Sequence, residues 1–166
     1  KKKYANVEQK MWSLIDQAET LRKALTQAMQ EDAAAFEGYM QAVRLPKDTE
    51  EQQSARTAAI ISATLDAARV PLRVAGMAVE VMKLCLDAAS LGNLNAISDA
   101  ASGFSMARAS LIGAGLNVRI NLHGLDDPTP GEGMLAELSA LEKTARDLLF
   151  QLRRTLAERA DMVLPD

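Results

Sequence analysis

The chain has 166 residues, enough for one domain with a sizeable core. Its composition is 48% hydrophobic but only 4% aromatic, and the prevalence of Ala and Leu favours packed helices over sheets. A formal net charge of −3 argues against a nucleic-acid partner, and four charged residues interrupt the longest apolar stretch, residues 70–89, so we expect no membrane partner either.

The single cysteine excludes an internal disulfide and fits a reducing compartment. Cys85 lies among Val81, Leu84 and Leu86, so we expect an inert, buried thiol rather than a nucleophile. No signal-peptide pattern precedes the first helix. Together these features predict a cytoplasmic protein.

Apolar residues at steps of three and four predict a first helix from Tyr4, continuing through residues 32–43 until Pro46 stops it. Thr49 with the following acids and Gln52 predicts a capped start for the second helix. Pro71 either kinks this helix or begins a new one, and the segment "LGN" at 91–93 ends it.

A third helix is predicted over residues 96–122, a loop rich in Gly and Pro over 123–133, and a last helix over 134–162. No strand is predicted. The fold class is therefore all-α, an antiparallel and mostly up-and-down bundle of long helices, with residues 1–166 as a single domain.

One stripe of the third helix is small in its middle and polar at its ends: Asp99, Gly103, Met106, Ser110, Gly113, Asn117 and Asn121. It is either a tight helix–helix contact whose amides bond to neighbouring backbone, or the lining of a pocket. The segment between Gly103 and Gly113 also suits self-association.

His123 is the only histidine, and there is no second cysteine, so we expect no metal site. We expect His123 to be a solvent-facing loop residue, with acid–base work as the alternative. Asp32 opens the segment "DAAAF", whose alanines leave its carboxylate accessible. Lys47 is expected in a loop, and Arg73 needs a partner on its otherwise apolar helix.

Four blocks occur in order over residues 1 to about 125: "KKKYANVE", "EDAAAFEGYMQAVRLPKDTEEQQSAR", "VPLRVAGMAVEVM" and "GNLNAISDAASGF" with "LNVRINL". The blocks and their order resemble those of the cyclodeaminase domain of formiminotransferase-cyclodeaminase. This family includes stand-alone bacterial methenyltetrahydrofolate cyclohydrolases of the serine cycle. The resemblance implies an all-α protein that forms homodimers or larger homo-oligomers. It also implies that the chain lacks the glycine-rich segment that precedes the Lys-Lys-Tyr block in relatives.

The resemblance implies an enzyme of one-carbon metabolism that acts on a tetrahydrofolate derivative, with no tightly bound cofactor. The expected reaction is hydrolysis of 5,10-methenyltetrahydrofolate to 10-formyltetrahydrofolate, because no formiminotransferase domain is attached. One alternative is the 5-formiminotetrahydrofolate cyclodeaminase reaction, which releases ammonia. A further alternative is a non-catalytic folate-binding or assembly module, which the missing glycine-rich segment favours.

Within that resemblance, Asp32 and Asp99 are expected to be catalytic, since a carboxyl group shielded in a helical pocket has a raised pKa and can act as a general acid. Asn117 and Asn121 are expected to bind the pterin ring or the reacting centre. The cationic residues Lys47, Arg73 and Arg119 are expected to bind the anionic glutamate tail.

Overall fold

The structure is a computed structural model that describes residues 2–164; Lys1, the first residue of the lysine run, lies outside them, as do Pro165 and Asp166. The described chain contains four α-helices: α1 (Glu8–Val43), α2 (Glu50–Leu91), α3 (Ile97–His123) and α4 (Glu132–Ala160). Short 3-10 helices cover Lys2–Val7, Leu94–Ala96 and Thr129–Gly131, and residues 2–164 contain no strand. The prediction of an all-α bundle is confirmed.

The helix ends follow from local chemistry. The Thr49 hydroxyl accepts the backbone N–H of Gln52 at 3.2 Å, and the Gln52 side chain accepts the N–H of Thr49 at 3.3 Å, which completes the predicted capping box of α2. Arg56 donates to the Val43 carbonyl at 3.0 Å, and this satisfies an oxygen that the end of α1 leaves free. The structure therefore fixes the α1–α2 turn from both sides.

Helix α2 runs unbroken for 42 residues, about 63 Å, and passes through Pro71. The prediction that a new helix could begin at Pro71 is therefore wrong. Pro71 is buried, and the packing of α2 against its neighbours outweighs the low helix propensity of proline.

Helix α2 is also the centre of the bundle, since it packs against α1, α3 and α4. The main core lies between α2, α3 and α4, where the largest fully buried side chains are Phe104, Met82, Leu138, Leu152, Leu156, Val79 and Val118. Helix α1 contributes only three buried residues to the described structure, Leu14, Ala28 and Ala42. It therefore lies along the outside of α2, and one of its faces stays open.

None of the helices within residues 2–164 has both the length and the apolar character needed to cross a membrane.

Candidate functional site

A cavity of about 330 Å³ lies where α1, α2 and α3 meet. Each helix contributes residues at helical spacing, so one face of each lines the cavity. The lining residues are Asp32, Phe36 and Tyr39 from α1; Ile60, Thr64 and Ala67 from α2; Asn117, Ile120 and Asn121 from α3; and Gly124 just beyond it. The structure therefore brings Asp32 together with Asn117 and Asn121, although they are far apart in the sequence.

The wall formed by α2 and α3 is anchored. Asn121 is half-buried, and its Nδ2 donates to the carbonyl oxygen of Ala67 on α2 at 2.9 Å. Thr64 is 6% exposed, the only polar side chain classed as buried within the described residues. A buried hydroxyl and an amide held by backbone are a pre-organised polar surface for a ligand.

The wall formed by α1 is open. Asp32 is exposed, Phe36 is 63% exposed and Tyr39 is half-buried. The shielded pocket predicted around the Asp32 carboxylate is thus not built by a single chain, because α1 has few buried residues. The carboxylate is nevertheless accessible at the cavity, as its alanine neighbours predicted.

A second surface depression adjoins the cavity on the outer face of α3, and Asn117 and Ile120 line both. Arg119 and His123 also line this depression, and His123 is exposed as the last residue of α3. Arg119 is already paired, since its Nη1 lies 2.9 Å from Glu142 Oε1 and its Nη2 donates to Oε2 at 3.0 Å. The hydrogen bonds to Glu142 raise the pKa of Arg119, so this cation is held toward α4.

The other two predicted tail-binding cations are not lining residues of the Asp32 cavity. Arg73 was predicted to need a partner on its otherwise apolar helix. It forms an ion pair with Glu31, the residue next to Asp32 on α1. Lys47 is exposed in the connection between α1 and α2. Arg73 therefore ties α1 to α2, while Lys47 remains a solvated loop lysine.

The hypothesis that Asp99 shares one pocket with Asn117 and Asn121 is wrong within a single chain, because Asp99 does not line the cavity. It lies exposed in the first turn of α3, eighteen residues before Asn117, which separates the two by about 27 Å along the helix. A continuous stripe on a long helix shares a face but not a location, so Asp99 does not reach the cavity that contains Asn121.

The stripe on α3 combines both hypotheses made from the sequence. A Cβ at Gly103 would lie 3.2 Å from the Cys85 sulfur, so this part is a close contact with α2. Gly113 has open space above it. Asn121 bonds to neighbouring backbone and also lines the cavity, so for this residue the helix contact and the pocket are the same feature.

Cys85 is half-buried, and burial raises the pKa of its thiol, which keeps the sulfur in the poorly nucleophilic protonated form. Within the part of the chain that the structure describes, no three His, Cys, Asp or Glu side chains form a group that could hold a metal ion.

Phe36, Tyr39 and Thr64 line the cavity but were not singled out from the sequence. Phe36 and Tyr39 lie four and seven residues after Asp32, so helical spacing from that aspartate would have found them. Thr64 carries no such signal, because nothing in the sequence of α2 says which of its faces α1 and α3 share.

Comparisons with known proteins agree with this architecture. A family model described as formiminotransferase-cyclodeaminase matches residues 1–140. Methenyltetrahydrofolate cyclohydrolase of Methylorubrum extorquens is 38% identical over 161 residues, which cover 97% of this chain and 77% of that protein. Formimidoyltransferase-cyclodeaminase of Sus scrofa is 30% identical over 146 residues, 88% of this chain but only 27% of that protein.

The fold has a solved counterpart. The crystal structure of formiminotetrahydrofolate cyclodeaminase from Thermotoga maritima superposes with a TM-score of 0.82 at 26% identity, covering 95% of this chain and 75% of that one. The ordered blocks, the helical bundle and these matches lead to one conclusion: the chain belongs to the formiminotransferase-cyclodeaminase family.

Proposed function

We propose that this protein hydrolyses 5,10-methenyltetrahydrofolate to 10-formyltetrahydrofolate, with the folate as substrate and no tightly bound cofactor. The observation that carries the proposal is the cavity that joins the Asp32 carboxylate to the Asn117 and Asn121 amides. The 38% identity to a protein named methenyltetrahydrofolate cyclohydrolase supports this reaction over others of the family.

Hydrolysis at the methenyl carbon needs three proton transfers and the cleavage of one C–N bond. Water adds to the carbon between N5 and N10, and Asp32 accepts one of its protons. The carbinolamine that forms opens when Asp32 returns this proton to N5 and the N5–C bond breaks, while the hydroxyl loses its remaining proton to solvent to give the formyl group on N10. One proton is released overall, and positioned acid–base catalysis of this kind contributes about 10²–10⁴-fold.

The amides bind rather than react in this scheme. Asn117 and Asn121 contact the pteridine, and Phe36 and Tyr39 pack against its ring or its benzoyl group from α1. Arg73 and Lys47 bind the glutamate tail outside the cavity, where both are exposed to solvent. Arg119 is the weakest candidate for that role, because Glu142 binds both of its Nη atoms, whereas Glu31 pairs with Arg73 through Nη2.

We also propose that the protein acts in the cytoplasm as a homodimer or larger homo-oligomer. The support for the oligomer is a row of apolar residues, each more than half exposed, on the outer face of α3: Met106, Ile112, Leu116 and Ile120. Ile120 also lines the cavity, so a subunit packed on this face would shield the site. Mass measurement in solution tests this part, and a monomer at assay concentration contradicts it.

The likeness to a formiminotetrahydrofolate cyclodeaminase structure supports a second candidate, ring closure of 5-formiminotetrahydrofolate with release of ammonia. This ring closure passes through a tetrahedral carbon at the same position as the hydrolysis.

The first assay gives purified protein 5,10-methenyltetrahydrofolate, and the absorbance of this substrate should disappear faster than the spontaneous rate.

A parallel assay with 5-formiminotetrahydrofolate, read by ammonia release, separates the two reactions. Ammonia release without methenyl hydrolysis identifies the cyclodeaminase instead. No turnover in either assay overturns both enzymatic proposals and leaves a non-catalytic folate-binding module.

A further inference from the structure

Pro71 creates a hydrogen-bond acceptor beside the candidate site. In an α-helix the carbonyl of residue 67 accepts the N–H of residue 71, but proline has no N–H, and its ring pushes the carbonyl four residues earlier away from the helix axis. The Ala67 carbonyl of α2 thus lacks its helical partner, at a position that lines the cavity.

Asn121 uses this free carbonyl. Its Nδ2 donates to the Ala67 oxygen at 2.9 Å from α3. Because a carbonyl can only accept, this bond fixes which edge of the carboxamide carries nitrogen and which carries oxygen. The donor edge of Asn121 is held by α2, and the acceptor Oδ1 remains for a ligand.

We infer that Pro71 is a positioning residue: through the Ala67 carbonyl it orients the Asn121 carboxamide so that Oδ1 accepts an N–H of the pteridine ring. This inference rests on the proposed folate reaction for its ligand, but the Pro71–Ala67–Asn121 arrangement stands on geometry alone. It also gives a role to a proline in the middle of a 42-residue helix, where alanine would favour the helix more.

The test uses Pro71→Ala. Alanine restores the backbone N–H, which re-engages the Ala67 carbonyl and realigns it with the helix axis, so the Asn121 amide loses its anchor. We expect kcat for 5,10-methenyltetrahydrofolate to fall about tenfold or more, since misplacement of a site group by 1 Å can cost about 10²-fold. The melting temperature should not fall, because the gain in helix propensity opposes the loss of the packed ring.

A double-mutant cycle separates positioning from general packing. Asn121→Ala should lower kcat at least as much as Pro71→Ala, and Pro71→Ala should add little in the Asn121→Ala background. Asn121→Asp keeps an acceptor but cannot donate to Ala67, so it should resemble Asn121→Ala. Pro128→Ala, in the α3–α4 connection, is the matched control and should retain wild-type kcat.

A second readout does not depend on turnover. In the wild-type protein the Asn121 side-chain amide should exchange slowly with solvent by NMR, and Pro71→Ala should speed that exchange while Asn95 stays unchanged. Additive kcat losses in the cycle, a wild-type kcat in Pro71→Ala, or unchanged exchange would each overturn the inference. A wild-type protein that turns over neither folate overturns the proposed reaction, and the exchange measurement then still decides whether Pro71 orients Asn121.

Discussion

The two walls of the cavity differ in how firmly the fold holds them. On the α2–α3 wall, Thr64 is buried and Asn121 is bonded to backbone, whereas on the α1 wall Asp32 and Phe36 are exposed. The first wall belongs to helices that share the main core, and the second to a helix that packs only along its outside. The anchored amide of Asn121 is therefore carried by the rigid part of the molecule, and the proposed proton acceptor and the aromatic contacts by the less constrained part.

The largest expected effect comes from the open wall. Asp32→Asn removes the proposed proton acceptor while leaving the shape of the side chain, so turnover should fall by about 10²–10⁴-fold. The melting temperature should hardly change, because an exposed surface residue has little effect on stability.

Glu37→Gln is the matched control for Asp32→Asn. Glu37 is exposed on the same helix but does not line the cavity, so its variant should retain wild-type turnover. Equal turnover in Asp32→Asn and Glu37→Gln would remove Asp32 from the chemistry.

A Phe→Ala substitution should affect the free energy of unfolding much more in the main core than on α1. Phe104→Ala empties a fully buried site in the main core and should lower the free energy of unfolding by about 3–5 kcal/mol. Phe36→Ala, at an exposed site on α1, should change it by less than about 0.5 kcal/mol. Urea denaturation measures both.

Phe36→Ala should instead act on the substrate. Loss of an aromatic contact worth about 1 kcal/mol should raise KM roughly threefold to tenfold. A large loss of stability in Phe36→Ala would show that α1 is as firmly packed as the other helices, and the contrast between the walls would fail.

The smallest effect is expected at Asp99. Because this carboxylate lies about 27 Å from Asn117 along α3, Asp99→Asn should change turnover by less than about twofold. A loss comparable to that of Asp32→Asn would mean that Asp99 reaches a site in another subunit, as its predicted catalytic role requires. Turnover measured at concentrations above and below subunit dissociation distinguishes these cases.

The sequence predicted the elements of this fold better than their meeting point. Helical periodicity, the Thr49 cap and the Gly92 stop define α1 and α2 to within a few residues, because these signals are local. Local signals also picked Asp32 and Asn121 as notable polar residues. They could not say that Asp99 lies remote from both, since position along a helix matters as much as the face it shares.

The role of Pro71 shows the same limit. From the sequence it was a kink or a helix start, and neither description involves another helix. Its consequence appears only when the Ala67 carbonyl meets a side chain 54 positions later in the chain. Likewise Arg73 needed a partner, but its pairing with Glu31 depends on how α1 lies against α2.

The most direct test of the account is NMR titration of the protein with 5-formyltetrahydrofolate, a stable analogue of the substrate. The side-chain amide signals of Asn117 and Asn121 should shift together and saturate, while that of Asn95, in the 3-10 helix that precedes α3, stays in place. Saturable shifts confined to Asn95 and its neighbours, with Asn117 and Asn121 unmoved, would contradict the claim that the cavity between α1, α2 and α3 binds the folate.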